Sequence, residues 1–170
     1  MLETLRPKLY LESIYRVDPD MLAQRGIRGL ILDIDNTLVP WNDPIAPEKL
    51  LRWLEALRAA GISACLMSNN TPERVSAFAK ALGVPWIVEG RKPAARAYHA
   101  ALAVLGTRAG ETAALGDQIY PDVVGANRMG IFSILVVPLS EREFVGTRVK
   151  RILERPLLRA MVRWGWIARQ

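Results

Sequence analysis

Short apolar runs alternate with amphipathic helical patterns from about residue 28 to residue 137, and this alternation limits the possible folds more than any other feature. Each apolar run is long enough for one buried strand, and each helical pattern can connect two parallel strands. Repeated units of this kind build a parallel sheet that helices cover on both faces. We therefore predict an α/β fold, a three-layer sandwich around a five-stranded parallel Rossmann-like sheet.

The five predicted strands cover residues 30–32, 62–67, 84–88, 112–115 and 131–137. Helices are predicted at residues 47–60, after the cap and first-turn pair Thr71-Pro72, at residues 94–105 and at residues 121–129. A chain of 170 residues is the size of one domain. We expect an N-terminal arm at 1–27, a main domain at 28–139 and a basic amphipathic helical segment at 140–170, packed on or beside that domain.

Composition narrows the class of protein and its surroundings. Apolar residues make up 51% of the chain, which is enough for an ordinary buried core. The only cysteine, Cys65, stands in an apolar run, so we expect a core residue, no internal disulfide and a reducing compartment. With no targeting signal or membrane-spanning run in view, we expect a cytoplasmic protein that at most touches a membrane surface.

Polar side chains follow successive predicted strands. Asp33 and Asp35 end the first strand and, two residues apart in extended backbone, face the same side. Ser68, Lys92 and Asp117 follow the second, third and fourth strands. Because ligands bind at the carboxyl ends of strands in open parallel sheets, we expect these groups to form one site.

The residue types in this set suit phosphoryl transfer. A phosphoryl group in transfer needs positioning and compensation of its negative charge, which Lys92 and the Ser68 hydroxyl can supply. Asp33 and Asp117 can share a hard cation with a phosphate oxygen, and Mg²⁺ is the cation that favours this ligand set. Asp122 is predicted to support the metal ligands from behind.

In this order, D-x-D-N-T, a strand-end serine, a lysine and G-D-x-x-x-x-D resemble the four motifs of the haloacid-dehalogenase-like phosphatases over residues 28–137. The resemblance implies that Asp33 is the nucleophile that forms an aspartyl-phosphate and that Asp35 is the acid and base. It also implies a HAD-like sheet and a magnesium ion held by Asp33, Asp117 and the backbone carbonyl of Asp35. The implied phosphate-binding residues are Asn36, Thr37, Ser68, Asn69 and Lys92.

Four strings of the chain carry a narrower likeness: Asp33-Ile-Asp-Asn-Thr-Leu-Val, Ser68-Asn-Asn, Arg91-Lys-Pro and Gly116-Asp-Gln. With the arm before them and the basic tail after them, they resemble the YqeG family over nearly the whole chain. That family is related to mitochondrial phosphatidylglycerophosphate phosphatases. The kinship implies a phosphorylated lipid headgroup as substrate. The short intervals between the motifs leave no room for a large cap domain, so we expect an open site with the loop at 38–46 as its nearest local lid.

The charge of the chain is concentrated in its tail. Residues 145–170 contain seven basic residues and one acidic residue, which accounts for the whole net charge of +6. Apolar and basic side chains recur there at helical spacing. One interpretation is a helix packed on the domain with a solvated basic face; another is contact with an anionic membrane. Nucleic acid is a less favoured partner, because no recognised binding module accompanies the basic residues.

Two other functional classes remain open. The substrate of the same chemistry can instead be a soluble nucleotide or sugar phosphate, or the chain can be a non-catalytic recruiting or signalling module. Receiver domains of signalling proteins also carry acids, a hydroxyl and a lysine on a parallel sheet. Their phosphate-accepting aspartate follows the third strand, however, whereas here the acids follow the first and fourth strands.

Overall fold

The computed structural model describes residues 2–41, 43–87, 90–140, 154 and 156–168. Five strands form one sheet: β1 (Leu9–Leu11), β2 (Gly29–Leu32), β3 (Ser63–Leu66), β4 (Thr112–Gly116) and β5 (Phe132–Val136). They lie in the order β1-β5-β4-β2-β3, and all neighbouring pairs are parallel. The predicted α/β fold with a five-stranded parallel sheet is confirmed.

The helices are α1 (Pro19–Gln24), α2 (Glu48–Ala59), α3 (Pro72–Leu82), α4 (Ala95–Leu105) and α5 (Gly125–Arg128). A π-helical segment, Ile119–Val124, precedes α5, and short 3₁₀ turns lie at Leu2–Leu5, Ile14–Arg16 and Ala109–Glu111. Residue 154 and residues 156–163 are also helical. Among the described residues, no helix combines the length and the apolar character that crossing a membrane requires.

Side chains alternate across the sheet and thereby create the three layers. Leu30 and Leu32 of β2 belong to a large apolar cluster with side chains of α1, α2 and α3. Ile31, between them, belongs to a second cluster with Tyr98 of α4 and Ala126 of α5. Because successive side chains of a strand point to opposite faces, the two clusters lie on opposite sides of the sheet.

The fifth strand of the sheet is not the one that the sequence predicted. Residues 84–87 of the predicted third strand form only an isolated bridge between Trp86 and Leu66, while residue 88 lies outside the described part. Pro85 has no N–H with which to extend a ladder. The N-terminal arm supplies the missing strand instead, because β1 pairs with β5 and aligns Leu9 with Ile134.

The described part of the C-terminal segment packs on the sheet side that carries the π-helical segment. Leu157 and Leu158 contact an apolar cluster that includes Val123 of that segment, and Met161 is fully buried. Arg159 and Arg163 are exposed. Residues 141–153, 155 and 169–170 of the predicted basic amphipathic segment lie outside the described residues.

Candidate active site

The carboxyl ends of three neighbouring strands place acidic and hydroxyl side chains at one edge of the sheet. Asp33 follows β2, Ser68 follows β3 after one intervening residue, and Asp117 follows β4 directly. The Asp33 N–H donates to the Leu115 carbonyl at 2.9 Å, so the ladder between β2 and β4 continues to the catalytic candidate. The regular part of the sheet therefore fixes the backbone position of Asp33.

Lys92 joins two of the predicted acids. Its ammonium lies 2.6 Å from Oδ1 of Asp33 and 2.6 Å from Oδ1 of Asp122. All three side chains are buried, with no more than 7% of any of them exposed. A buried cation held between two buried carboxylates leaves one formal negative charge in the group, and in low dielectric such pairing is far stronger than at the surface.

Burial shifts the ionisation of this group. It raises the pKa of Asp33 from 3.8 to about 6, and the Lys92 ammonium opposes that shift without cancelling it. Burial likewise raises the pKa of Asp122, again against the attraction of Lys92. Burial alone would lower the pKa of Lys92, but the carboxylates of Asp122 and Asp33 outweigh it, so the pKa of Lys92 is raised and the lysine stays charged.

Thr37 links Asp33 to Asp117, the acid that follows β4. Its hydroxyl lies 3.1 Å from Oδ2 of Asp33 and 3.3 Å from Oδ1 of Asp117, so its single proton is shared between the two carboxylates. Thr37 and Asp117 are both buried. The contact brings the carboxylates that follow β2 and β4 within reach of one small group.

These oxygens form a suitable donor set for a magnesium ion. In the described part of the chain, no group of three or more His, Cys, Asp and Glu side chains is arranged to hold a metal. Asp33 and Asp117 both accept from the Thr37 hydroxyl, and their carboxylates are hard oxygen ligands. Because Mg²⁺ typically takes one or two carboxylates and completes its shell with water and substrate oxygen, the residues present fit this ion.

Asp35 has a separate set of partners. Arg74 of α3 donates to its Oδ1 through Nε at 3.1 Å and Nη2 at 2.6 Å, and the Asn70 amide donates to its Oδ2 at 2.7 Å. The same Arg74 side chain donates to the Asp43 carbonyl at 3.2 Å. The Asp35 carboxylate is therefore fixed by α3 and the preceding loop, whereas Asp33 is held by Lys92 and Thr37.

Asn36 shapes the loop after β2, between Asp35 and Thr37. Its φ of 62° is in the left-handed region, which asparagine adopts more readily than most residues. Its side-chain oxygen accepts from the Trp41 N–H at 3.1 Å, and its carbonyl accepts from the Leu139 N–H at 2.9 Å. The predicted phosphate-binding residue thus connects the loop after β2 to the segment after β5 and is itself buried.

The structure places Asn69 beside Lys92, and Ser68 directly precedes Asn69 in the chain. Both side-chain groups of Asn69 are engaged with the Lys92 backbone, since Nδ2 donates to the carbonyl at 3.0 Å and Oδ1 accepts from the N–H at 2.8 Å. The half-buried Ser68 hydroxyl accepts from the Asn70 N–H at 3.3 Å. In this arrangement, Asn69 positions the lysine-bearing loop, and the Ser68 hydroxyl donates to no acceptor among the described residues.

Asp122 is held in place by contacts of its own segment. Its Oδ2 accepts from the Gln118 N–H at 3.1 Å, and a Cβ added to Gly116 would lie 2.2 Å from its Cγ. The buried Tyr98 hydroxyl lies 2.8 Å from the Pro121 carbonyl and 3.1 Å from the Asp122 carbonyl. The missing side chain at Gly116 therefore makes room for Asp122, and Tyr98 fixes the backbone that carries it.

The sequence alone assigns no role to four residues that hold the site or the segments around it: Asn70, Arg74, Tyr98 and Glu154. Arg74 had a readable signal, because the first turn of a helix that follows β3 must begin at the same edge as the strand ends. Glu154, in the C-terminal helical segment, is buried and accepts from the Tyr120 N–H at 3.0 Å. No local pattern reveals that contact, because it depends on how the tail packs.

Comparison with known proteins identifies the family. The family described as haloacid dehalogenase-like hydrolase matches residues 41–130. The chain is 37% identical over 161 residues to the probable phosphatase YqeG of Bacillus subtilis (strain 168), covering 95% of this chain and 94% of that protein. The chain belongs to the haloacid dehalogenase-like hydrolases. Membership of this family, together with the identity to a named phosphatase, shows that the chain is a phosphatase.

A more distant relative of this phosphatase acts in plants. The chain is 26% identical to phosphatidylglycerophosphate phosphatase 1, chloroplastic/mitochondrial, of Arabidopsis thaliana, with 94% of this chain and 49% of that protein covered. The chain thus spans about half the length of the plant relative. An uncharacterized protein of Listeria monocytogenes serotype 4b shares the fold, with a TM-score of 0.55, 20% identity, and 69% and 85% of the two chains covered.

Proposed function

We propose that this phosphatase hydrolyses phosphomonoesters through an aspartyl-phosphate on Asp33, with Mg²⁺ as cofactor. The observation that carries the proposal is the position of the Asp33 carboxylate, which lies between the Lys92 ammonium and the Thr37 hydroxyl. A carboxylate in that setting is oriented by two donors and has a cation beside it to compensate the charge of an incoming phosphoryl group.

In the first step, an oxygen of Asp33 attacks phosphorus and the bond from phosphorus to the ester oxygen breaks. Asp35 enters this step protonated and gives its proton to the departing alkoxide, so the products are a neutral alcohol, an ionised Asp35 and the phosphorylated Asp33. In the second step, a water molecule gives a proton to Asp35 and attacks phosphorus, and the bond from phosphorus to the Asp33 oxygen breaks. Inorganic phosphate is released and the Asp33 carboxylate is restored. Asp33 and Asp35 return to their starting protonation states.

The remaining residues bind and orient. Asp33, Asp117 and the backbone carbonyl of Asp35 are the ligands that would hold magnesium, which supplies compensation of the negative charge on the phosphate oxygens. Lys92 supplies a second positive charge that Asp122 keeps in position. Ser68 donates its free proton to a phosphate oxygen, and Asn69 holds the Lys92 backbone. Asn36 and Thr37 shape the phosphate-binding loop.

For the substrate, we propose a phosphate carried on a lipid headgroup, such as phosphatidylglycerophosphate or a similar anionic phospholipid precursor. The names of the plant relative and its kin support this class. The open construction of the site also supports it, since α2 and β3 occupy the interval from Asp35 to Ser68 and α3 occupies most of that from Ser68 to Lys92. We further propose peripheral contact of residues 145–170 with an anionic membrane on the cytoplasmic side.

The experiment is a phosphate-release assay on purified protein with a panel of substrates. The panel contains phosphatidylglycerophosphate in mixed micelles, glycerol 3-phosphate, a sugar phosphate and a nucleoside monophosphate, each with Mg²⁺ and with excess EDTA. We expect magnesium-dependent release that is highest on the lipid and is lowered at least about a thousandfold by Asp33→Asn. Retained turnover in that variant would refute the aspartyl-phosphate, and preference for a soluble ester would refute the lipid substrate.

Membrane contact needs variants that leave the packed tail intact. Because Leu157, Leu158 and Met161 pack on the domain, deleting the tail would also damage the fold. The exposed pair Arg159 and Arg163 can instead be changed to glutamine. We expect weaker co-sedimentation of the double variant with anionic vesicles than of the unaltered protein, with equal turnover of glycerol 3-phosphate. Equal co-sedimentation of both proteins would remove these arginines from any membrane contact.

A further inference from the structure

A cavity of about 520 Å³ lies at the amino ends of the strands, and the candidate active site lies at their carboxyl ends. Its lining comes from the segments that lead into strands, with Lys8 before β1, Ile27 before β2, Gly110 before β4 and Ile131 before β5. β4 has five residues, and a strand rises about 3.3 Å per residue, so the cavity is on the order of 15 Å from Asp117. It is therefore a separate site.

Two cations line this cavity, and neither has a carboxylate partner within the described part of the chain. No ion pair among the described residues involves Lys8 or Arg25. The one acid in the lining, Glu3, lies 3.9 Å from Arg6. An anion entering the cavity would gain attraction from both cations, and it would not need to displace an existing pair from either of them.

The wall beside these cations is apolar. Ile27 and Ile131 are buried, and Phe132 is half-buried. The Arg25 guanidinium lies over the Phe132 ring, 5.4 Å from its centroid. The Arg25 Nε–H donates to Met21 Sδ at 3.1 Å. Stacking uses the face of the guanidinium, so its terminal N–H groups can still donate to an acid. The cavity thus combines an apolar surface with donors for a negative group, and its size is within the roughly 300–1,000 Å³ of small-molecule sites.

The charge around the cavity has the same sign. The segments at residues 2–8, 25–28, 106–111 and 128–131, which lead into β1, β2, β4 and β5, contain six basic and two acidic residues. This is a formal surplus of four positive charges at one end of the sheet. The opposite edge holds the buried carboxylates Asp33, Asp117 and Asp122. A positive potential at the cavity end would raise the local concentration of small anions.

We propose that this cavity binds a small organic anion in which a phosphate or carboxylate group is joined to an apolar ring. Lys8 and Arg25 bind the acidic group, and Ile27, Ile131 and Phe132 contact the ring. The proposal does not depend on the reaction at Asp33, and its test measures binding alone.

The test uses naphthalene-1-sulfonate as the probe, because a sulfonate is an anion on an aromatic ring that a phosphatase cannot hydrolyse. Binding is measured by calorimetry and by amide chemical shifts of labelled protein. We expect a dissociation constant below about 1 mM, with shifts at Gly110, Gly130 and Ile131 and none at the catalytic edge. The neutral analogue 1-naphthalenemethanol should bind at least about tenfold more weakly, since it lacks the charge.

Three variants separate the cavity from the rest of the surface. Lys8→Gln combined with Arg25→Gln should weaken binding by about tenfold or more. Gly110→Leu should abolish it, because a Cβ at Gly110 has no atom within 4 Å and a larger side chain there takes up open space. Arg108→Gln is the matched control, since Arg108 belongs to the same basic end but not to the lining, and it should change binding less than about twofold.

Several results would overturn the proposal. These are no measurable probe binding to the unaltered protein, equal binding of the neutral analogue, or undiminished binding by both lining variants while thermal unfolding shows them folded. The proposal would also be overturned by two results together: inorganic phosphate competes with the probe, and Asp33→Asn lowers the affinity for the probe. Both would place the probe in the active site.

Discussion

The Lys92 ammonium lies 2.6 Å from Asp33, and this contact is the shortest link between the positive charge of the site and its proposed nucleophile. The same ammonium lies 2.6 Å from Asp122, so the lysine cannot be removed without leaving two buried carboxylates facing each other. Structure and proposed chemistry therefore depend on the same three side chains, and the two dependences can be separated by mutation.

Lys92→Met should destabilise the protein by about 3–5 kcal/mol, because it leaves buried charge without its partner. Adding Asp122→Asn to that variant removes one of the two carboxylates and should restore part of the lost free energy of unfolding. Activity should stay absent in both proteins, since the phosphate has lost its cation. Urea unfolding and phosphate release measure the two effects, and an additive loss of stability in the double variant would contradict the pairing.

The pH dependence of stability has a definite sign in metal-free protein. The pKa of Asp33 is raised to about 6 in the folded state, so its contribution to stability is fully present below the unfolded value of about 4 and is lost as pH rises through about 6. Such a shift corresponds to up to about 3 kcal/mol.

That contribution can be isolated by difference. Urea unfolding in EDTA at several pH values between 4 and 7, on the unaltered protein and on Asp33→Asn, gives two slopes. The unaltered protein should lose more stability with rising pH than the variant does. Identical slopes would mean that burial of the Asp33 charge does not oppose folding.

Gly116→Ala should disturb the site through sterics alone. The new Cβ would lie 2.2 Å from Asp122 Cγ, so the carboxylate and the lysine bonded to it must move. We expect a loss of about 1–3 kcal/mol in stability, as for other overpacked positions, and a fall in kcat. Gly110→Ala is the control, because its Cβ meets no atom within 4 Å and should change neither quantity appreciably. Equal behaviour of the two variants would argue against the close packing at Gly116.

Tyr98→Phe should cost about 1–2 kcal/mol of stability, because it removes a buried donor and leaves the carbonyls of Pro121 and Asp122 without it. A smaller fall in kcat should accompany the loss, since the backbone that carries Asp122 becomes less restrained. Tyr120→Phe is a suitable comparison, as Tyr120 is half exposed. Denaturant unfolding and steady-state kinetics distinguish the two, and a Tyr98 variant as stable as the Tyr120 variant would show that the hydroxyl is dispensable.

Arg74→Met should lower kcat by about tenfold or more while changing KM little, because Arg74 positions Asp35 and does not contact the ester in the proposed mechanism. Arg74→Lys keeps the charge but loses the two-nitrogen contact, so it should recover only part of the rate. Arg52→Met serves as control, since the ion pair of Arg52 with Glu48 is exposed. A KM effect without a kcat effect would instead place Arg74 among the substrate-binding residues.

Much of this arrangement could be predicted from the sequence because strand ends are locally encoded. The apolar run before Asp33 and the one before Asp117 are strands, and parallel strands bring their carboxyl ends to one edge regardless of detail. The two faces of β2 were similarly readable, since residues that alternate along a strand must separate between the two helical layers.

Other contacts could not be predicted because they depend on elements far apart in the chain. β1 has only three residues, and no local pattern distinguishes such a short edge strand from an arm. The pairing of Asp35 with Arg74 depends on the rotation of α3 about its axis. The predicted strand at 84–88 was wrong in extent for a local reason. Its apolar composition is typical of a buried strand, but Pro85 lacks the N–H that a longer ladder needs.

The place of β1 in the sheet also bears on biosynthesis. β1 leaves the ribosome before the other four strands of this sheet, yet the Lys8 N–H donates to Ser133, 125 residues away. At about 5–20 residues per second, a nascent chain would wait on the order of ten seconds before its edge strand could be paired. During that interval, the N-terminal segment is an unpaired strand in reach of chaperones and neighbouring chains. Completion of the edge can come only after β5 has left the ribosome.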